Sequence, residues 1–397
     1  MTAQAPWIPF FRHCATQSEL DAVAEVIRNG WLTTGKVAME FEKEFGRIVG
    51  ARHAIAVNSC TSALHLALEG IGIGPGDVVV VPSLTFTATA EAVRYLGADV
   101  LIADVDPCTG LLTPEILERT VAGRSDVKAV MPVHFGGRAA AIGGSGGGSI
   151  SRVAADRGIA VIEDAAHAFP AREQGRPVGS LGTATCFSFY ANKTLTTGEG
   201  GMVTTEDDRL AARMRLMRLH GIDRDGWARF TSAPSAWQYD VVAPGFKYNL
   251  TDIAAALGLA QLARHRAHHE RRLQIARRYD EAFRAEPSID PCPLGPDPEA
   301  NAWHLYWIRL RAGESARDPF IAALTSAGIG TSVHYRPLHR MTYWRERYSL
   351  HPSDFPGAEH IWNGCVSLPL YPDLSDADVA RIIDAVLAHA DVAVAAS

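Results

Sequence analysis

Val161-Ile162-Glu163-Asp164-Ala165-Ala166-His167 and Cys186-Phe187-Ser188-Phe189-Tyr190-Ala191-Asn192-Lys193-Thr194-Leu195-Thr196-Thr197-Gly198-Glu199-Gly200-Gly201 are the stretches on which the reading turns. The first is a short apolar run that ends on a carboxylate. The second sets a lone amine between a β-type stretch and a Gly-rich turn. Upstream of them, short apolar runs alternate with helical patterns. Residues 53–57, 78–81, 99–103, 127–133 and 159–162 read as buried strands. Between them, 62–71, 87–96, 113–121 and 150–157 read as helices. Such alternation predicts an α/β fold with a large, mostly parallel sheet covered on both faces. Ligands of such sheets bind outside the carboxyl ends of the strands. Asp164 lies just beyond one such end.

Strands at 183–189 and 201–204 flank Lys193, and a long helical stretch runs over 252–283, capped by Thr251 or Asn249. A Pro-rich stretch at 287–298 marks a boundary. A strand near 303–310, a helix near 318–327, a strand near 331–335 and a helix near 376–389 follow. The expected organisation is a large α/β domain over 1–285 and a small C-terminal α+β domain over 286–397. Residues before Leu32 are expected to pack on the small domain or on a partner chain. Gly143-Gly144-Ser145-Gly146-Gly147-Gly148-Ser149 has flexible-linker composition where a helix start is expected. Natural loop or engineered substitution, it is a connection to which no chemistry is assigned.

Composition narrows the function class. The 397 residues are 47% hydrophobic and 21% charged, as in an ordinary globular protein. A net charge of -6 argues against a nucleic-acid binder and against an anionic membrane surface. Cys14, Cys60, Cys108, Cys186, Cys292 and Cys365 are spread without a C-x-x-C pair, as reduced thiols of a cytoplasmic protein would be. The start, Met1-Thr2-Ala3-Gln4-Ala5-Pro6, lacks a secretory pattern, and no apolar run approaches the roughly 20 residues of a membrane span.

A lysine and a strand-end aspartate suit a Schiff-base cofactor, the amine taking an aldehyde and the carboxylate a ring nitrogen. Pyridoxal 5'-phosphate (PLP) needs that pair. Asn58-Ser59-Cys60-Thr61-Ser62 follows a strand and opens a helix, which makes Thr61 and Ser62 candidates for its phosphate. Ser188 approaches from the lysine side. The bland alternative is a helix cap alone. Phe86, in a strand-to-helix turn, is a candidate to stack on the ring, or core. His167 would touch the ring oxygen side, orient the carboxylate, or serve structure. Gly70-Ile71-Gly72-Ile73-Gly74-Pro75-Gly76 follows a helix and precedes a strand, the reverse of a dinucleotide fingerprint. His265, His268 and His269 sit among arginines with no completing ligands, so no metal site is expected.

Together these segments resemble the DegT/DnrJ/EryC1/StrS family of sugar aminotransferases. The resemblance runs from Asn29-Gly30-Trp31-Leu32-Thr33-Thr34-Gly35 to Ser367-Leu368-Pro369-Leu370-Tyr371-Pro372 and includes Gly245-Phe246-Lys247-Tyr248-Asn249-Leu250-Thr251-Asp252. It implies the PLP fold type I (aspartate aminotransferase-like) architecture and a homodimer. It implies Lys193 as Schiff-base lysine and proton carrier, Asp164 on the pyridinium, His167 on the ring hydroxyl side and Phe86 on the ring. Thr61, Ser62 and Ser188 would hold the phosphate, with Asn249 or Lys247 reaching it from the neighbouring subunit. Trp31, Thr33, His334 and Tyr335 would line the sugar-nucleotide pocket, to which segment 1–35 contributes. Cys60 and Ser62 replace the glycine and alanine frequent in the family, and the Gly/Ser run has no counterpart there.

The Lys247-Tyr248-Asn249 form, Ala302-Trp303-His304-Leu305 and Tyr343-Trp344-Arg345-Glu346-Arg347-Tyr348 look most like the branch that aminates C4 of nucleotide-linked 4-keto sugars. The branch forming UDP-4-amino-4-deoxy-L-arabinose is the nearest in pattern, with L-glutamate the implied donor. A 3-keto sugar or keto-cyclitol is the alternative acceptor. A family dehydratase would carry His at the lysine position, so Lys193 argues against it. A non-catalytic PLP-fold regulator would carry a basic DNA-binding domain ahead of the fold.

Overall fold

The computed structural model describes residues 6–143, 148–223 and 238–390. Met1 to Ala5 of the N-terminal start and Gly144 to Gly147 of the Gly/Ser run lie outside the described residues. The large sheet has seven strands: β1 (His53–Val57), β2 (Val78–Pro82), β3 (Asp99–Ala103), β4 (Val127–Val130), β5 (Ala160–Asp164), β8 (Ala184–Ser188) and β9 (Gly201–Thr205). The short β6 (Arg172–Glu173) and β7 (Arg176–Pro177) pair with each other outside it. Spatial order is β1-β9-β8-β5-β4-β2-β3. Neighbours from β8 through β3 are parallel, whereas β9 runs antiparallel to both β1 and β8.

Most positions of the central strands are buried on both faces. Val78-Val79-Val80-Val81-Pro82 is buried at every position, and so are β8 and β9. Burying each such valine is worth about 1.5–3 kcal/mol. One apolar cluster runs from Val79, Val130 and Ile162 into Trp303, Tyr306 and Ile382. The other packs Phe41, Phe45, Phe169, Phe187 and Phe189 together, with Phe45 5.0 Å from Phe187 and 5.1 Å from Phe169 between ring centres.

A second, antiparallel sheet joins β10 (Ile289–Pro291), β11 (Tyr306–Leu310) and β12 (Cys365–Leu368). The N-terminal segment reaches this half of the chain. Ile8 N–H donates to the Gly328 carbonyl at 2.9 Å and Gly330 N–H to the Ile8 carbonyl at 2.8 Å. No helix among the described residues is long and apolar enough to cross a membrane.

Two expectations change, and two helices are added. The helical stretch 252–283 is two helices, Asp252–Ala263 and His265–Phe283. They break at Arg264, whose guanidinium turns aside to Glu19 at 2.8 Å. The strand expected at 331–335 is a single bridge, Ser332 to Ser367, followed by irregular chain. The helices α1 (Gln17–Asn29) and α2 (Lys36–Val49) were not anticipated. The first starts with a capping box, Thr16 with Glu19, and ends at Gly30 in the left-handed region (φ 78).

Candidate active site

Strand ends and one helix start converge on Lys193. The loop after β8 is pinned at its base: Phe189 N–H donates to Gly200 O at 2.9 Å and Lys193 N–H to Tyr190 O at 2.9 Å. Gly201, where β9 begins, faces the start of α3 (Cys60–Gly70) so closely that a Cβ would stand 2.6 Å from the Ser59 carbonyl. Only glycine lets the two backbones approach there. Lys193 is mostly buried, and burial lowers its amine to about 8, against the opposing pull of Cys60 and Asp164.

Asp164 closes β5 and is 5% exposed. Its Oδ2 accepts from the Thr89 hydroxyl at 2.8 Å and its Oδ1 from Ala166 N–H at 3.1 Å. Burial raises the carboxyl, and these donors together with Lys193 oppose the rise. Thr89 was missed in the sequence. It lies one turn after Phe86, a spacing that puts both on one face of a helix start.

His167 is enclosed. Gly136 N–H donates to its Nδ1 at 3.3 Å, and its Nε2 lies 2.9 Å from the Tyr335 hydroxyl. In this structure both ring nitrogens are therefore engaged within the chain. Burial and the Lys193 charge hold the ring far below the usual imidazole range. Tyr335 lies 5.9 Å from Phe86 between ring centres. Phe86 itself is 58% exposed, on the open side of the centre. His334 stacks on Phe10 at 5.5 Å and its Nδ1 meets Ser367 Oγ at 2.9 Å. Burial, then Lys193, lowers it to about 4.

At the start of α3, Ser59 Oγ accepts from Ser62 N–H at 3.1 Å, and the Ser62 hydroxyl donates to Asn58 Oδ1 at 2.6 Å. The Cys60 and Thr61 N–H groups are the uncapped donors of this first turn. Cys60 Sγ donates to the Cys186 carbonyl at 3.6 Å, which ties the helix start to β8. Ser188 Oγ accepts from Tyr190 N–H at 3.3 Å. An amine, a strand-end carboxylate, uncapped helix N–H groups and an exposed aromatic ring fit PLP. The group would be held at Lys193, Asp164 and the α3 start, where it supplies an electron sink for a carbanion.

Trp31, Thr33 and Asn249 lie elsewhere. They line a cavity of about 960 Å³ with Lys247, Arg215 and Arg218. Asn249 Nδ2 donates to Thr34 Oγ1 at 2.7 Å, and Lys247 Nζ donates to Asn249 Oδ1. Asp252 accepts from Gly35, Val37 and Ala38 N–H groups, clamping the 31–35 loop to this corner. None of Lys193, Asp164, His167, His334 and Tyr335 lines this cavity. The histidines at 265 and 269 serve backbone instead, bonding the Leu262 carbonyl at 2.6 Å and the Asn301 carbonyl at 2.9 Å.

Comparison with known proteins gives the family. The family model of the DegT/DnrJ/EryC1/StrS aminotransferase family matches residues 13–387. The spore coat polysaccharide biosynthesis protein SpsC of Bacillus subtilis is 43% identical over 383 residues, 96% of either chain. Spr1654 of Streptococcus pneumoniae in its PMP form superposes with a TM-score of 0.87 at 30% identity, covering 97% of this chain and 100% of that one. The same protein has been solved in a PLP form. Helicobacter pylori PseC, an aminotransferase involved in the biosynthesis of pseudoaminic acid, gives a TM-score of 0.87 at 27% identity over 97% of this chain and 100% of its own. The chain thus belongs to the DegT/DnrJ/EryC1/StrS family and is a PLP-dependent sugar aminotransferase of fold type I.

Proposed function

We propose that the protein moves an amino group from L-glutamate to C4 of a nucleotide-linked 4-keto-6-deoxy sugar. The observation that carries amino transfer is the Lys193 amine beside the Asp164 carboxylate, lowered to about 8 by burial, while the C4 acceptor rests on the likeness of the Lys247-Tyr248-Asn249 and Ala302-Trp303-His304-Leu305 segments. An amine near the working pH both takes and returns a proton, which amination requires at Lys193 Nζ. Asp164 favours positive charge on a ring nitrogen placed against it, and that charge in turn holds the carboxyl ionised. SpsC acts in spore coat polysaccharide biosynthesis and PseC in pseudoaminic acid biosynthesis, both routes in which an amino sugar is a reasonable product.

In this reading the site is shared between two copies of the chain. Trp31, Thr33, Lys247 and Asn249 line a cavity that Lys193 does not line in one chain, and a two-fold copy would bring them to its partner's centre. Thr61, Ser62 and Ser188 would take the phosphate, Phe86 the ring, and His334 with Tyr335 the sugar. Residues 1–285 and 286–397 would act as large and small domains, with the 1–35 segment at the pocket.

The test is a panel of nucleotide-linked 3-keto and 4-keto sugars and keto-cyclitols, each with L-glutamate, with products assigned by NMR. The expected product carries nitrogen at C4. Amination at C3, or of cyclitols alone, would sink the acceptor assignment. Turnover only with a donor other than glutamate would sink the donor.

A further inference from the structure

We propose that His304 is a positioning residue of the Lys193 centre, acting through His167 to fix the direction in which the Tyr335 hydroxyl points its hydrogen. The two imidazoles lie 4.3 Å apart between ring centres, tilted by 42°. Both are buried, at 5% exposure each.

The backbone around His304 is strongly constrained. Trp303, the residue before it, holds a left-handed φ of 51°, rare for a bulky side chain. Asn301 Oδ1 accepts from Trp303 N–H at 2.8 Å and so fixes that conformation. Ala302 N–H donates to the Gly137 carbonyl at 2.9 Å and Leu305 N–H to the Gly136 carbonyl at 3.1 Å. At Gly137 a Cβ would stand 2.9 Å from Trp303 N and 3.0 Å from His304 N, so the two segments are in direct backbone contact. The turn that seats His304 thus packs on the turn whose Gly136 N–H donates to His167 Nδ1. Strain that the surroundings over-determine points to a role for the side chain it places.

The consequence is a defined tautomer. With Nδ1 accepting, neutral His167 carries its hydrogen on Nε2 and donates it to the Tyr335 oxygen. The Tyr335 hydrogen is thereby freed to point away from His167, toward the side on which Phe86 lies. A proton on His167 Nδ1 would face the Gly136 N–H, donor against donor. The His304 ring shields the His167 face from water, and His304 Nδ1 is itself enclosed without a partner. Lys193 and His334 lie near both rings and Arg272 near His304; the Lys193 charge opposes a proton on either ring and the Arg272 charge one on His304, while Asp164 is the acid facing Tyr335.

This inference rests on the Lys193 centre as the PLP site, but its test needs no cofactor. Imidazole nitrogen NMR of the PLP-free protein, with the His167 signals assigned by their loss in His167→Gln, reads tautomer and charge directly. In the wild type the Nε2–H form is expected, without titration between about pH 5 and 9, where an ordinary histidine changes charge. His304→Leu should admit the other tautomer and bring titration into that window. His304→Phe, which keeps a ring over His167, should retain the wild-type pattern. In the holoenzyme, His304→Leu should lower kcat about tenfold at the acid end with KM for the acceptor within about twofold, the size of one lost acid–base contact. A wild-type His167 that is Nδ1-protonated or titrates normally overturns the proposal, whether or not the variants fold. So does a folded His304→Leu with an unchanged spectrum, or a His304→Phe that behaves like it.

Discussion

The Lys193 centre and the Asn249 corner differ in how much of their chemistry one chain supplies. Around Lys193 the groups are enclosed, and burial dominates their protonation: it lowers the amine and the histidines and raises the Asp164 carboxyl. Every shift moves a group toward neutrality, as a poorly hydrated site demands. Around Asn249 the cavity is open and lined by Arg215 and Arg218, both bonded to Glu42, and by Lys247, which bonds Asn249. There the residues bond one another and meet the Lys193 centre only at its rim, where Asn58 N–H donates to the Tyr248 carbonyl at 2.8 Å. The contrast teaches that acid–base tuning is built into the single chain, while in the proposed reading a second copy completes the pocket.

The contrast breaks most plainly at the lysine. Lys193→Ala should abolish turnover and the visible Schiff-base absorption with PLP. Retention of full activity would remove Lys193 from the chemistry altogether. Asp164→Asn keeps the shape and removes the charge. It should lower kcat about 10²–10³-fold, the size of losing one well-placed electrostatic partner, in steady-state assays with PLP saturating.

Burial of the amine also has a stability consequence. A lysine at about 8 in the folded chain, against about 10.4 unfolded, binds fewer protons when folded between those values. Stability therefore rises with pH across that window and is flat below it. Lys193→Met in the PLP-free protein should be more stable by about 1–3 kcal/mol at neutral pH, with the gap closing as pH passes from about 8 to 10.4. Denaturant melts at several pH values read this, and a gap that does not change with pH would show that the amine is not buried as a neutral group.

The Asn249 corner is expected to answer more weakly. Asn249→Ala should lower kcat/KM about tenfold, as the loss of one hydrogen-bonding side chain does. Mixing inactive Lys193→Ala chains with Asn249→Ala chains sharpens the point. If two copies share each site, one site of the mixed dimer carries both lesions and the other carries neither. Activity then exceeds that of either variant alone. No gain on mixing would place Asn249 outside the shared site.

Much of the fold was legible because the β2 run and its neighbours are apolar on both faces, a pattern that only a covered sheet satisfies. Asp164 and Lys193 were legible because strand ends and Gly-rich turns restrict what such residues do. Helix α1 could have been read from Thr16 with Glu19 and from Gly30, signals as local as any in the chain. The break at Arg264 could not, since helical periodicity continues through it. The backbone leaves helical geometry at Arg264 (φ -104, ψ 0), and its guanidinium reaches Glu19, far away in sequence. Thr89 on Asp164 and His304 on His167 were equally hidden, because each pairing joins distant segments.

By itself the sequence determined the sheet, its carboxyl-end site and the amine–carboxylate pair, because periodicity, turns and helix starts act over a few residues. The tertiary structure alone decided the bonding partners of His167, the lowered amine of Lys193 and the cavity to which Asn249 belongs. Protonation depends on desolvation and on neighbours a few ångströms away, and only the folded chain fixes which segments those neighbours come from.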